Sequence, residues 1–88
     1  IFSYGSTLIV ENNFLEKQDA GIGYYDFGNG NIFITITDLV QEISFVYDGS
    51  GKLMTQSPIQ GPAITLGLVD GKPKIYFLTE NQLVIQDL

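Results

Sequence analysis

Short runs in which branched and aromatic side chains alternate with polar ones recur along this chain, parted by turn sequences. This rhythm limits the possible folds more than any other feature. A period of two puts successive side chains on opposite faces of an extended strand, whereas a helix needs apolar residues three and four apart. The runs fall at 6–11 (STLIVE), 20–27 (AGIGYYDF), 31–37 (NIFITIT), 43–47 (ISFVY), 52–56 (KLMTQ), 62–68 (PAITLGL), 73–79 (PKIYFLT) and 82–86 (QLVIQ). Between them stand FGNGN, YDGSGK, LVDGKP and TENQ. Asn-Gly and Asp-Gly reach the positive φ values of tight hairpins, so these segments read as turns. The helical candidate, ENNFLEKQ at 11–18, is too short to stand alone.

The expectation is an all-β, Ig-like antiparallel sandwich of seven or eight short strands, with residues 1–88 as a single domain. A chain of 88 residues buries about 60–65% of the surface exposed when unfolded, which leaves a small margin of stability. Six Phe and five Tyr supply material for a core. Pro58 and Pro62 bracket SPIQGP, read as the passage from one sheet to the other, and Pro73 stands where a strand tolerates a missing N–H. The sequence shows no linker, low-complexity tract or internal repeat.

Alternation sorts the apolar residues into two sets. Ile32, Ile34 and Ile36, with Ile43, Phe45 and Tyr47, are taken as one core face, completed by Ile64, Leu66, Leu68, Ile75 and Phe77. Ile9, Tyr25, Phe33, Val46, Tyr76, Leu78 and Val84 are left on the opposite faces, where a half-solvated sheet should be polar. A contiguous apolar patch there marks a partner surface, so Phe33, Val46, Tyr76 and Leu78 are the expected interface. The partner is another protein, either a second copy in a homodimer or a surface-layer protein.

The chain has neither Cys nor His, so it lacks a thiolate nucleophile, an imidazole base and the usual zinc and haem ligands. Carboxylates could still form a glycosidase pair. However, Asp26, Asp38, Glu42, Asp48, Asp70 and Glu80 all sit at turns or strand ends, the usual place of Asx-turns. No enzymatic activity and no cofactor are expected. GSGK at 49–52 lacks the upstream Gly, the Ser or Thr and the helix of a phosphate loop. Asp26 with Asn29 and Asn31, or Asp48 with Ser50, could offer oxygens to calcium, though without EF-hand spacing. Tyr4, Tyr24, Tyr25, Tyr47 and Tyr76 could line a sugar site. A small calcium- or carbohydrate-binding module is therefore kept as an alternative.

Ten acidic residues stand against four basic ones, for a net charge of −6. Neutralising phosphate needs clustered Lys or Arg, so nucleic acid and anionic membrane are not expected partners. Uncharged Asn, Gln, Ser and Thr fill most polar positions, and such a surface loses little when carboxylates protonate, which fits an extracellular or acidic medium and equally an ordinary acidic soluble domain. The chain opens on Ile1 and has no run of 18 apolar residues, so any membrane anchor of a parent protein is expected outside these residues.

The run NIFITITDLVQEISFVYDGSGKLM, followed by AITLGL and KIYFLTENQLVI, resembles the extracytoplasmic β-domains of archaeal type IV filament systems: pilins, archaellins and archaellum accessory (stator) proteins. Val46-Tyr47-Asp48-Gly49 and Phe77-Leu78-Thr79-Glu80-Asn81 carry the likeness over about residues 30–86. It implies an Ig-like domain at the cell surface, tethered by an upstream helix, that binds itself or the surface layer as part of a filament or motility machine. The hairpin ISFVYDGSGKL at 43–53 is also similar to the C-terminal sorting domains of the type IX secretion system. That likeness departs in lacking an Asn-Pro opening and in ending on Gln86-Asp87-Leu88 where a basic residue is usual.

Overall fold

Six of the seven strands fall in the runs read from the sequence, and the Asn29-Gly30 and Asp70-Gly71 pairs between them adopt the positive φ expected of them. The computed structural model describes residues 7–15, 19–61 and 64–88. Among these there is no helix. Strands β1 (Ala20–Asp26), β2 (Ile32–Asp38), β3 (Ile43–Asp48) and β4 (Ile59–Gln60) make one sheet, and β5 (Ile64–Val69), β6 (Lys72–Thr79) and β7 (Gln82–Asp87) make a second. All pairs are antiparallel. Asp70 and Gly71 both lie in the left-handed region, at φ 52° and 76°, as a two-residue turn matched to strand twist requires. The longer β1–β2 turn takes Gly28, Asn29 and Gly30 through positive φ, and the Asp26 carboxylate accepts a hydrogen bond from the Gly28 N–H at 2.9 Å.

The result is a small two-layer all-β sandwich. Its path is simpler than the Ig-like one, in which strands of the two sheets interleave. Strand order follows chain order in both sheets, and the chain passes between them once, after β4. That passage falls in the SPIQGP segment, which also supplies β4 through Ile59–Gln60. Residues 7–10 are exposed and belong to no strand, and position 6 lies outside the described residues. Of the 52–56 run, only Leu53 pairs, in an isolated bridge to Tyr47. Residues 12–15 form a turn, closed by the Leu15 N–H on the Asn12 carbonyl, and residues 16–18 of the 11–18 run lie outside the described residues.

The core inverts the expected faces of the first sheet. Phe33, Val46 and Ile59 point inward and meet Leu66 and Ile75 of the second sheet, with Tyr25, Phe27, Met54, Ile64, Phe77 and Leu88 packed around them. Phe33 and Val46, expected at an interface, are therefore interior residues, Val46 with 0% of its surface exposed. The opposite face of the first sheet carries Ile34, Ile36, Ile43, Phe45 and Tyr47 in a second cluster closed by Leu15. Residues 12–15 lie over it. The Phe14 and Phe45 ring centroids are 5.6 Å apart, the Asn12 amide donates to the Tyr47 hydroxyl at 2.8 Å, and the Gln41 amide donates to the Phe14 carbonyl at 3.0 Å. Covered on both sides, β3 is buried from Ile43 to Tyr47.

Candidate interaction surface

Antiparallel register decides which residues share the outer face of the second sheet. Tyr76 lies opposite Thr65 and Ile85, and Leu78 opposite Leu83. Directly opposed residues project to one side, so Tyr76, Leu78, Leu83 and Ile85 stand together, facing away from the sandwich core. Leu78, Leu83 and Ile85 are 58%, 61% and 56% exposed. Tyr76 is half-buried because its ring lies across β5 at Gly67, where an added Cβ would come within 2.9 Å of the ring. The Lys74 ammonium and the Asp87 carboxylate form an ion pair on the same face, at its border. Of the four expected interface residues, Tyr76 and Leu78 are on this surface, whereas Phe33 and Val46 lie inside the molecule.

Leu83 and Ile85 cannot be placed from β7 by itself. Its LVI run shows no clear alternation, and only pairing with β6 brings these residues beside Tyr76 and Leu78. A second apolar surface lies on the far side of the molecule. Ile22 and Tyr24 of β1 are 78% and 64% exposed and lie opposite half-buried Ile36 and Ile34. They adjoin the part of that face which residues 12–15 cover.

The other candidates resolve into structure. Asp48, considered for calcium, accepts at Oδ1 from the Ser50 N–H (2.9 Å), the Ser50 hydroxyl (2.7 Å) and the Lys52 N–H (2.9 Å), so this carboxylate organises its own turn. Among the described residues, no three acidic side chains gather into a metal-sized cluster. Of the tyrosines considered for sugar binding, Tyr4 lies outside the described residues, Tyr47 is buried, and Tyr25 packs on the core with its hydroxyl 3.3 Å from that of Thr65. A cavity of about 620 Å³ runs between the β3–β4 connection and the end of β7, floored by Ile59, Ile75 and Phe77 and rimmed by Gln56, Gln60 and Gln86. Among its lining residues the one ionisable side chain is Asp87, which is paired with Lys74.

The Asp48 turn gives a pH expectation. The Ser50 hydroxyl, the Lys52 N–H, the Ser50 N–H and the Lys52 charge together hold this carboxyl below its ordinary 3.8. A carboxyl made more acidic by folding stabilises fully above its unfolded pKa and loses that contribution as pH falls through the lower, folded value. Wild type should therefore melt above Asp48→Asn at neutral pH, and the gap should close only below about pH 3.8. The group is exposed, so the gap will be small. Melting curves of both proteins from pH 2 to 7 check this, and a gap that widens in acid contradicts it.

No family model, curated protein or solved structure matches this chain.

Proposed function

We propose that this domain is a non-enzymatic interaction module that associates with another protein through the outer face of its second sheet. One observation carries this reading: Leu78, Leu83 and Ile85 form an exposed apolar cluster on one face of a regular sheet, where solvent alone would favour polar side chains. The carboxylates support it as well. Asp26 and Asp48 are engaged with their own turns, as is Asp38, which accepts from the Val40 and Gln41 N–H groups. A cell-surface setting, in a filament or motility machine, follows only from the hairpin's resemblance to archaeal filament domains.

Analytical ultracentrifugation of wild type and Leu78→Lys tests the reading, with and without a cell-envelope protein fraction. Position 78 is exposed, so the lysine leaves the fold intact, while an unpaired charge buried on association costs several kcal/mol. Association by wild type and none by the variant is the expected result. A wild type that stays monomeric and binds nothing in the fraction defeats the proposal.

A further inference from the structure

Leaving aside the two-residue β4, the strands of the first sheet are repeated by those of the second. β1-β2-β3 and β5-β6-β7 are both three-stranded meanders, and aligning the turn glycines Gly30 and Gly71 sets Ile34 against Ile75 and Ile36 against Phe77. Register extends the match to the flanking strands. Tyr24 opposes Ile34 as Leu66 opposes Ile75, and Phe45 opposes Ile36 as Val84 opposes Phe77. Asp48 and Asp87 then fall at equivalent strand ends. Different turn lengths, five residues from Phe27 to Asn31 against two at Asp70-Gly71, hide this correspondence in the sequence.

Each unit thus has two distinct faces. One carries Ile22, Tyr24, Ile34 and Ile36 in the first sheet and Ile64, Leu66, Ile75 and Phe77 in the second. The other carries Phe33, Thr35, Ser44 and Val46 in the first and Lys74, Tyr76, Leu83 and Ile85 in the second. Inside the sandwich these unlike faces meet: Phe33 and Val46 of the first unit pack on Leu66 and Ile75 of the second. The packing is head to tail. Such an arrangement leaves an end on each side, because the second unit's outer face is equivalent to the face the first has already buried; on the first unit's outer face residues 12–15 cover the β3 side, and Ile22 and Tyr24 of β1 stay open beside them. Both open ends carry exposed apolar residues: Ile22 and Tyr24 at one, Leu78, Leu83 and Ile85 at the other.

We infer that the face bearing Tyr76, Leu78, Leu83 and Ile85 docks on the face bearing Ile22, Tyr24, Ile34 and Ile36 of a second copy of this chain, continuing the stack already made between its two sheets. This rests on the interaction reading above and specifies its partner and geometry. Stacked meanders close into a propeller-like ring if the rotation between units allows it, and otherwise extend as a fibre.

Ile22→Glu and Ile85→Glu test it, each placing a charge on one open end at an exposed position. By ultracentrifugation wild type should assemble as concentration rises. Each variant should remain monomeric, and an equimolar mixture should form a dimer and nothing larger, since one intact end of each kind remains. Tyr24→Glu and Leu83→Glu repeat the test should either first variant lose its β-sheet circular dichroism. A variant that still self-associates, or a mixture that stays monomeric, overturns head-to-tail stacking while leaving association through a sheet face intact. A wild type that is monomeric alone but binds the envelope fraction through Leu78 also overturns the stacking and not the interaction reading.

Discussion

Val46→Lys is expected to unfold the domain. Val46 is fully enclosed between the sheets, against Phe33, Ile59, Leu66 and Ile75, and none of these can pair with an ammonium. The substitution forfeits the burial of a valine side chain, roughly 1.5–3 kcal/mol. It also adds an unpaired interior charge, which costs several kcal/mol even after the surroundings relax. A domain this small sits near the bottom of the usual stability range of about 5–15 kcal/mol, so the sum removes most or all of it. Urea titration followed by circular dichroism should show no cooperative transition for the variant at 25 °C. A variant that melts within a few degrees of wild type would mean that Val46 faces solvent or a partner. Leu78→Lys is the control, since the same charge on the outer face of the second sheet should leave the transition nearly unchanged.

The contrast between those two positions shows what alternation can and cannot specify. Period-two patterning located β1, β2, β3, β5, β6 and β7 to within a residue or two, because Asp70-Gly71 and Asn29-Gly30 accept backbone that few other pairs tolerate. It also grouped residues correctly: Ile34 and Ile36 do share a face with Phe45 and Tyr47. It could not say which face is inside. In the first sheet β3 is covered by the second sheet on one side and by residues 12–15 on the other, and a strand buried on both sides carries no signal of direction. Polarity misled as well. Thr35 and Ser44 are buried on the inner face, where the Ser44 and Thr37 hydroxyls satisfy each other at 2.8 Å, while Ile22 and Tyr24 stand exposed on the outer one. β4 has no signature in the sequence, because two residues between prolines have no period. Their place in the sheet comes from the pairing of Ile43 and Ser44 with Gln60 and Ile59. The apolar outer face of the second sheet is half legible in the sequence for a related reason: β6 alternates visibly, whereas Leu83 and Ile85 join Tyr76 and Leu78 only through register.

Asp38→Ala should cost about 2–4 kcal/mol, from the loss of a buried carboxylate that holds charge-assisted hydrogen bonds. Asp38 ends β2 with 1% of its surface exposed. Its Oδ1 accepts from the Val40 and Gln41 N–H groups, both at 3.0 Å, and its Oδ2 accepts from the Gln41 side-chain amide at 2.7 Å. That same amide donates to the Phe14 carbonyl at 3.0 Å, so one carboxylate both shapes the β2–β3 turn and steadies the segment lying over Phe45. Alanine strands the turn donors and frees Gln41, loosening the cover on the outer face of the first sheet. Asp38→Asn keeps an acceptor for the backbone but loses the charge, and should recover part of the loss. Urea titration measures both, and amide exchange at Leu15, whose N–H donates to the Asn12 carbonyl, should quicken in the alanine variant beyond the change in global stability. A variant within about 0.5 kcal/mol of wild type, the scatter of ordinary surface substitutions, would show that water satisfies the turn without Asp38. Faster exchange at Leu15 with little global loss would instead separate the two roles, leaving the carboxylate as the tie between turn and cover, and the cover as a part able to open without the sandwich.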